Sequence, residues 1–423
     1  MASWVHVSDD SDFSLQNLPY GVFSTADSGP RIGVAIGQYV LDVKALAQDQ
    51  VFDDLDFNVE TLQEATLNAY ASLGRNVHSK VRRRLQQLLD DNTQLADVLR
   101  DSQRRRERCL IPLASVTMHL PVVVGDFTDF FIGIHHANNV KFLKPGSDIV
   151  QLVPPFWDQP TAYHGRSSSV VVSGTPVRRP KGQYRVDGRA VSGICEKLDF
   201  EVEFAAVIGK GSQFGDAIDV DNAEDHIFGF VLLNDWSARD FQKNEGTGPF
   251  TCKNFATSIS PWIVPFEALE PFRVPPTEAG RTLPDYLTQK EINSAYEIPI
   301  RATLEAGSER YHMAECNTKF VIFSFAQMIA HHTRGGCPLR SGDLLATGTN
   351  SGPTRQEQGC LLELTRYGTD PYEISTKGAT ESKIRRTFLE DGDVVEFSSQ
   401  LRVNGGLKNI GFGVCRGEIL PAN

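Results

Sequence analysis

The sequence predicts a mainly β chain of the α+β class, organised as a small N-terminal unit followed by a larger β-roll or barrel-like domain. Three observations carry this prediction. A hairpin pattern stands near the N-terminus, the longer helical patterns lie around residues 80–100, and short strands punctuated by Gly/Pro turns dominate from about Thr117 onward. In order, "RIGVAIGQYVLDV" (Arg31 to Val43) alternates around a Gly-Gln turn and reads as a hairpin. Val81, Leu85, Leu88 and Leu89 share one helical face. After "DDNT", which offers an N-cap, Leu95, Val98 and Leu99 share another and predict a second helix. The later segments "SSVVVSGTPV", "LDFEVEFAAVIG", "IFGFVLLND" and "DGDVVEFSS" read as strands. The division falls near residue 118, giving units 1–118 and 119–423, with no fixed-period repeat. "GKGSQFG" (Gly209 to Gly215) lacks the full phosphate-loop fingerprint and no helix pattern follows it, so it reads as a turn between strands.

Composition narrows the function. The chain has 423 residues, 40% hydrophobic and 22% charged, which is enough for a large buried core. A formal net charge of -11 argues against a general nucleic-acid binder, whose footprint is basic. The arginine clusters "KVRRRLQQLLDD" (Lys80 to Asp91) and "RRRER" (Arg104 to Arg108) are read as solvated helix faces in preference to a phosphate site. Seven cysteines without CxxC spacing indicate neither a zinc site nor a disulfide framework. The N-terminus lacks the basic and apolar regions of a signal peptide, and no apolar run reaches the length of a membrane span. A reduced, cytoplasmic protein without nucleic-acid or membrane partners is the expectation.

Carboxylates carry the chemistry. Glu201 and Glu203 lie two apart in a strand pattern, so their side chains share a face while Phe200, Val202 and Phe204 take the other. Two like charges side by side call for a positive partner, unless they lie on the exposed face of an edge strand. The apolar run from Ile227 to Leu233 reads as a buried strand ending in Asn234-Asp235. The residues after it read as helix, with Asp235, Arg239 and Gln242 at i, i+4 and i+7 on one face. That trio is either a local ion pair or a metal ligand beside two donors. Asp129, in "DFTDFFIGIHHANNVKFLKPG" (residues 126 to 146), makes a fourth acid. Four carboxylates are hard oxygen ligands suited to Mg²⁺, Ca²⁺ or Mn²⁺. Spacing alone leaves their convergence open, and it does not say which of His135 and His136 does chemistry.

The motifs "DFSLQNLPYGVFS", "GDFTDF", "YHGRSSSVVVSGTPVRRPKGQ", "LDFEVEF", "HIFGFVLLNDWSARDFQ", "GPFTCKNFATSISPW", "GDLLATGT" and "FLEDGDVV" occur in collinear order from about Asp12 to Pro421, and the chain resembles the fumarylacetoacetase family. The resemblance implies an SH3-like barrel, then a catalytic β-roll, in a homodimer. It implies hydrolysis of a C–C bond in 4-fumarylacetoacetate, giving fumarate and acetoacetate in tyrosine and phenylalanine breakdown. By matching motifs, Asp129, Glu201, Glu203 and Asp235 would hold a divalent cation, usually Ca²⁺ or Mg²⁺. Lys253 and Thr257 of "KNFAT" match a second cation site beside it. His136 would be the base and Glu363 of "LLELT" the acid that orients it. Arg239, Gln242 and Lys253 would stabilise an oxyanion. Tyr163, Thr349 and the position of Phe131 would contact a small diketo-acid substrate, and Ser24 of "GVFST" would approach from the small unit. His135, His164, His331 and His332 receive no role.

The chain departs from the family where substrate carboxylates are read. "FLKPG" puts Pro145 in place of an arginine, with Lys144 beside it, and a lysine lacks the bidentate fork. Phe131 replaces a tyrosine, and "NEGTGPF" (Asn244 to Phe250) is a shortened segment that lacks another. The metal, base and oxyanion residues are retained, so fumarylacetoacetate is still the expected substrate, while the altered contacts open other readings. The alternatives are a diverged member acting on another acylpyruvate or β-keto acid as hydrolase, decarboxylase or isomerase, and a non-catalytic metabolite binder.

Overall fold

A computed structural model describes residues 2–140, 154–246, 248–277, 281–376, 383–402 and 409–423. The N-terminal unit is built on an antiparallel sheet of β1 (Tyr20–Thr25), β2 (Ser28–Ile36), β3 (Tyr39–Asp42), β4 (Leu110–Pro112) and β5 (Thr117–His119), in the order β4-β3-β2-β1-β5. The predicted hairpin is β2–β3. Its turn needs Gly37, which has φ +56° and whose added Cβ would stand 2.4 Å from the His6 carbonyl. Helices α1 (Val43–Gln48), α2 (Arg75–Leu89) and α3 (Gln103–Cys109) connect β3 to β4. Asp42 starts α1 by accepting from the Ala45 amide at 2.8 Å.

Helix α2 buries the expected face, Val81, Leu85, Leu88 and Leu89. The second predicted helix does not form, and residues 93–101 are a chain of turns. Asp90 Oδ1 accepts from the Asn92 amide and Thr93 Oγ1 from the Leu95 amide, as caps would. The backbone beyond closes i to i+3 turns (Val98 amide to Leu95 carbonyl, Ser102 to Leu99) and an Asp101-to-Ala96 bond in place of an i to i+4 ladder. Of the three apolar residues there, only Leu99 is fully buried while Leu95 and Val98 are half-buried against the same core, which lowers the packing reward for a helical face. The "RRRER" cluster forms the mostly solvated α3, where Arg105 and Arg108 pair with Asp49. The other cluster departs from expectation. Arg82 is buried and donates to the carbonyls of Gln16 and Asn17, to the latter at 2.5 Å, while Arg83 remains exposed. An arginine fork can satisfy two loop carbonyls that no sheet reaches.

The larger unit rests on an eight-stranded sheet. Its strands are β6 (Phe127–Phe130), β7 (Ala162–His164), β8 (Val170–Val172), β9 (Val202–Ile208), β10 (Ile227–Asp235), β11 (Thr257–Ile259) and β12 (Leu344–Ala346). They run β7-β6-β12-β9-β10-β11-β8, and Val264–Pro265 also pairs with β10. A five-stranded sheet of segments 309–317, 299–306, 394–402, 409–420 and 177–178 packs against one face. Phe204 meets Phe412 with ring centroids 5.7 Å apart, and Phe200 meets Phe397 at 5.8 Å. The opposite face, through Ala205, Val207, Val231, Leu233 and Leu344, shares a core with Tyr20, Tyr70 and Leu85 of the N-terminal unit. A sheet covered on both faces needs apolar residues at every position of its central strands. This explains the unbroken run of β10, all nine of whose residues are buried.

Replacing Arg82 with Met leaves two buried carbonyls without a donor. It is expected to lower unfolding free energy by about 2–4 kcal/mol, whereas Arg83→Met changes it by less than about 0.5 kcal/mol. Denaturant unfolding of the two variants beside the parent checks this, and equal stabilities would show that Arg82 carries no such load.

Candidate active site

Strand alternation brings the acids together. On β9 and the residue pair before it, Glu201 and Glu203 continue the face that carries Ala205 and Val207. On β10, Asp235 continues the face of Val231 and Leu233, and on β6 Asp129 continues that of Phe127. Registers set them side by side. Asp129 lies opposite Ala346, which lies opposite Ala205, so two alanines leave room between the acid-bearing strands. One oxygen from each of Asp129, Glu201, Glu203 and Asp235 falls within 4.8 Å of the others, and all four residues are buried. The alternative of an exposed edge strand is thereby excluded, since β9 is central and both glutamates are inside.

Two cations partly offset this charge. The Lys253 ammonium bridges Glu201 and Asp235, at 2.7 Å from Asp235 Oδ2. It is thus a positive group within the cluster, and its ammonium has no lone pair to give a metal. Arg239 Nη1 lies 2.7 Å from Glu201 Oε1 and also donates to Gln242 Oε1 at 3.1 Å. Thr257 Oγ1 donates to Asp235 Oδ1 at 3.1 Å and the Tyr163 hydroxyl to Asp235 Oδ2 at 2.7 Å. The expected helical trio does not exist. Asp235 is the last residue of β10, Ser237–Ala238 form a further short strand, and only Arg239–Gln242 (α5) are helical. Trp236 is wholly buried and its indole donates to Ser258 Oγ at 2.9 Å, which fixes an extended backbone where local periodicity suggested a helix.

Glu203 has no hydrogen-bond partner for either carboxylate oxygen, and Asp129 none for Oδ1. Burial and the neighbouring acids push the Asp129 and Glu203 carboxyls well above their usual range, and burial raises Asp235. For Glu201 burial acts upward, but Lys253, Arg239 and His136 outweigh it and hold the carboxyl low. Orphaned buried carboxylate oxygens beside other carboxylates are the donor set a hard divalent cation requires, so the residues fit such an ion.

His136 stands on α4 (Ile134–Asn139), a helix, so its neighbour His135 points about 100° away around the axis. His135 packs edge-on against Phe320 with centroids 4.9 Å apart. His136 Nδ1 lies 2.8 Å from Glu363 Oε2. An ionised carboxylate only accepts, so Nδ1 carries the proton and Nε2 is the basic nitrogen. Glu363, on the short helix α6 (Leu361–Leu364), also accepts from Asn139 Nδ2 at 2.7 Å, Ser351 Oγ at 2.8 Å and Cys360 Sγ at 3.1 Å. Burial alone would raise its pKa, but His136 and these donors hold it below the ordinary value. Phe131 packs edge-on against His136, with centroids 5.4 Å apart. Thr349 Oγ1 and Arg239 Nη2 are buried without a hydrogen-bond partner, which leaves two polar groups for a ligand.

Other candidates fall elsewhere. Ser24 Oγ pairs with His119 Nε2 at 2.8 Å, His332 Nε2 with Thr128 Oγ1 at 3.0 Å, and His331 Nδ1 with the Tyr286 hydroxyl at 2.9 Å. Lys144 and Pro145 lie outside the described residues. In the shortened segment, Glu245 accepts from the Phe250 amide at 2.7 Å, Thr251 Oγ1 at 2.6 Å and the Cys252 amide at 3.1 Å. Sequence reading missed Asn139, Ser351 and Cys360, which carry no signal of their own. It also missed Asp199, for which the alternation Asp199-Glu201-Glu203 was an available signal.

A buried acid cluster beside a carboxylate-oriented histidine, at the end of a doubly covered β sheet, is an arrangement that can combine a divalent cation with a proton acceptor, as metal-dependent hydrolases do. Comparison with known proteins gives the family. The family description "Fumarylacetoacetate (FAA) hydrolase C-terminal" matches residues 130–419, and "Fumarylacetoacetase N-terminal" matches residues 16–121. The chain is 42% identical to fumarylacetoacetase fahA of Aspergillus fumigatus, over 100% of this chain and 99% of that protein. It is also 42% identical to the fumarylacetoacetases of Arabidopsis thaliana and Rattus norvegicus, covering 100% and 99% of this chain and 99% of each relative. The chain belongs to the fumarylacetoacetase family. Among solved structures, a fumarylacetoacetate hydrolase from Exiguobacterium antarcticum superposes with TM-score 0.52 at 18% identity, over 96% of this chain and 100% of that one, and shares the fold.

Because Asp129, Glu203 and Asp235 have raised pKa values in the folded chain, their contribution to stability is present at low pH and is lost as pH rises through those values. Chelator-treated protein is therefore expected to be less stable at about pH 8 than at about pH 6. Mg²⁺ or Ca²⁺ at roughly a hundredfold excess over Kd should restore about 2–3 kcal/mol, more at the higher pH. Glu203→Gln should raise cation-free stability and remove most of that response. Thermal unfolding with and without cation checks both, and an unchanged cation response in Glu203→Gln would contradict the assignment.

Proposed function

We propose that the protein hydrolyses 4-fumarylacetoacetate to fumarate and acetoacetate in tyrosine and phenylalanine catabolism, with His136 as the base. The observation that carries this reading is the His136–Glu363 pair beside the buried four-carboxylate cluster, in a chain matched along its length by fumarylacetoacetases. His136 Nε2 takes a proton from water, and Glu363, held ionised by its donors, stabilises the imidazolium that forms. The hydroxide adds to the carbonyl carbon next to the fumaryl double bond, and the C–C bond from that carbon to the methylene between the two ketones then breaks. The hydroxyl oxygen ends in fumarate and the proton on the methyl carbon of acetoacetate. Arg239, Gln242 and Lys253 are the donors for the oxyanion, and Arg239 Nη2 is the guanidinium nitrogen left over from the protein's own hydrogen bonds. Asp129, Glu201, Glu203 and Asp235 would hold Ca²⁺ or Mg²⁺, which supplies Lewis-acid stabilisation of the diketone and the leaving enolate. Thr257 supports Asp235, and Thr349 and Tyr163 border the substrate.

The protein acts as a cytoplasmic homodimer on a small diketo acid in this reading. Among the described residues no helix is long and apolar enough to cross a membrane, and all seven cysteines are free. One observation favours a second reading. The Phe131 ring against His136 offers no hydroxyl to a substrate carboxylate, which suits a different acylpyruvate or β-keto acid, cleaved, decarboxylated or isomerised on the same groups.

Loss of fumarylacetoacetate absorbance with purified protein and Mg²⁺ or Ca²⁺, beside a simpler acylpyruvate, separates the two. Turnover of the second compound alone would reject the first reading. His136→Ala is expected to lower kcat about 10²–10⁴-fold, with Glu363→Gln losing less. Full activity in His136→Ala would end the assignment of the base.

A further inference from the structure

Asp199 is wholly buried, yet it is not one of the four clustered acids. Its Oδ1 accepts from the amides of Phe200 and Leu361, both at 2.8 Å. Its Oδ2 accepts from the Leu362 amide and from Arg239 Nε, both at 2.9 Å. A carboxylate has room for about four such bonds, so Asp199 is saturated and has no lone pair left for a cation or a substrate. Its partners define what it does. Leu361 and Leu362 open α6, whose first amides have no intrahelical acceptor, and Glu363 follows directly. Arg239 opens α5.

We propose that Asp199 is a positioning residue that locks the oxyanion-binding arginine to the helix bearing the glutamate that orients the base. With Nε tied to Asp199 and Nη1 to Glu201 and Gln242, the guanidinium plane is fixed and Nη2 is the nitrogen presented to the ligand. With its first two side-chain-accepted amides on the same carboxylate, α6 cannot slide or rotate relative to Arg239. The His136 Nδ1–Glu363 hydrogen bond is thereby held in register with the oxyanion donors. The Tyr367 hydroxyl, just past α6, donates to the Arg239 carbonyl at 3.4 Å and runs parallel to this link. An asparagine at position 199 would keep one acceptor but turn an amide donor toward Leu362 N–H or Arg239 Nε–H. Those groups also donate, so one of the two helices must move.

The inference rests on the roles given above to His136, Glu363 and Arg239, and its test has one readout that needs no turnover. Asp199→Asn is expected to lower kcat by roughly 10–100-fold with KM changed by less than about threefold, as for other residues that orient a working group. In a double-mutant cycle its effect should shrink when combined with Glu363→Gln, because both act on the same histidine. The downfield ring-proton resonance of His136, identified by its loss in His136→Ala, should shift in Asp199→Asn. The cation-induced rise in Tm should persist, which shows that the fold and the acid cluster are intact. Asp199→Ser, which leaves space for a bridging water, is the second variant if Asn does not fold. Parental kcat and an unmoved resonance in a folded variant would overturn the inference. Absence of fumarylacetoacetate turnover in the parent would reject the substrate assignment alone, and the resonance shift would still support the link.

Discussion

Five carboxylates and two cations are enclosed at one end of a sheet that is covered on both faces. Charge of that density is tolerated inside a protein only where each group is paired, hydrogen-bonded or bound to an ion. Much of the surrounding architecture follows from that constraint. Lys253 bridges Glu201 and Asp235, Arg239 bridges Glu201 and Asp199, and the hydroxyls of Tyr163 and Thr257 donate to Asp235. Among these carboxylates the unpartnered oxygens belong to Asp129 and Glu203, which is where a divalent cation would fit.

The fold supplies rigidity where this charge needs it. The acids stand on or beside the central strands β9 and β10 and on β6, in line with apolar residues of the same strand face. The N-terminal unit therefore does more than adjoin the larger one, since it provides the apolar cover for the face that ends in the acid cluster. The His136–Glu363 pair lies on two short helices outside this sheet, and its geometry depends on Asn139, Ser351, Cys360 and Asp199 to hold those helices against it. Short helices have little stability of their own, so side-chain links of this kind decide where they sit.

Several features were legible in the chain before the structure. The Gly-Gln hairpin, the apolar face of α2 and the buried run of β10 are set by local periodicity and by one glycine conformation, and the common face of Glu201 and Glu203 follows from strand alternation. Two readings failed for a shared reason. Residues 95–99 and the segment after Asp235 both have helical spacing, but spacing alone did not set the backbone: the first closes into i to i+3 turns, and burial of Trp236 holds the second extended. Arg82 failed differently, because the first arginine of a run of three gives no sign that distant loop carbonyls will claim it.

By itself the sequence determined the strand-rich class, the types of ligand available and, through its motifs, the family and the residues to inspect. It could do so because residue type and spacing are local properties. Only the tertiary structure decided that four acids from three strands converge within 4.8 Å, that Lys253 sits among them as a counter-charge, and that His136 rather than His135 meets Glu363. It also decided that Asp199 joins α5 and α6, which are separated by more than a hundred residues. Those facts depend on strand registers and helix placements between segments far apart in the chain, and such relations exist only once the sheets have closed.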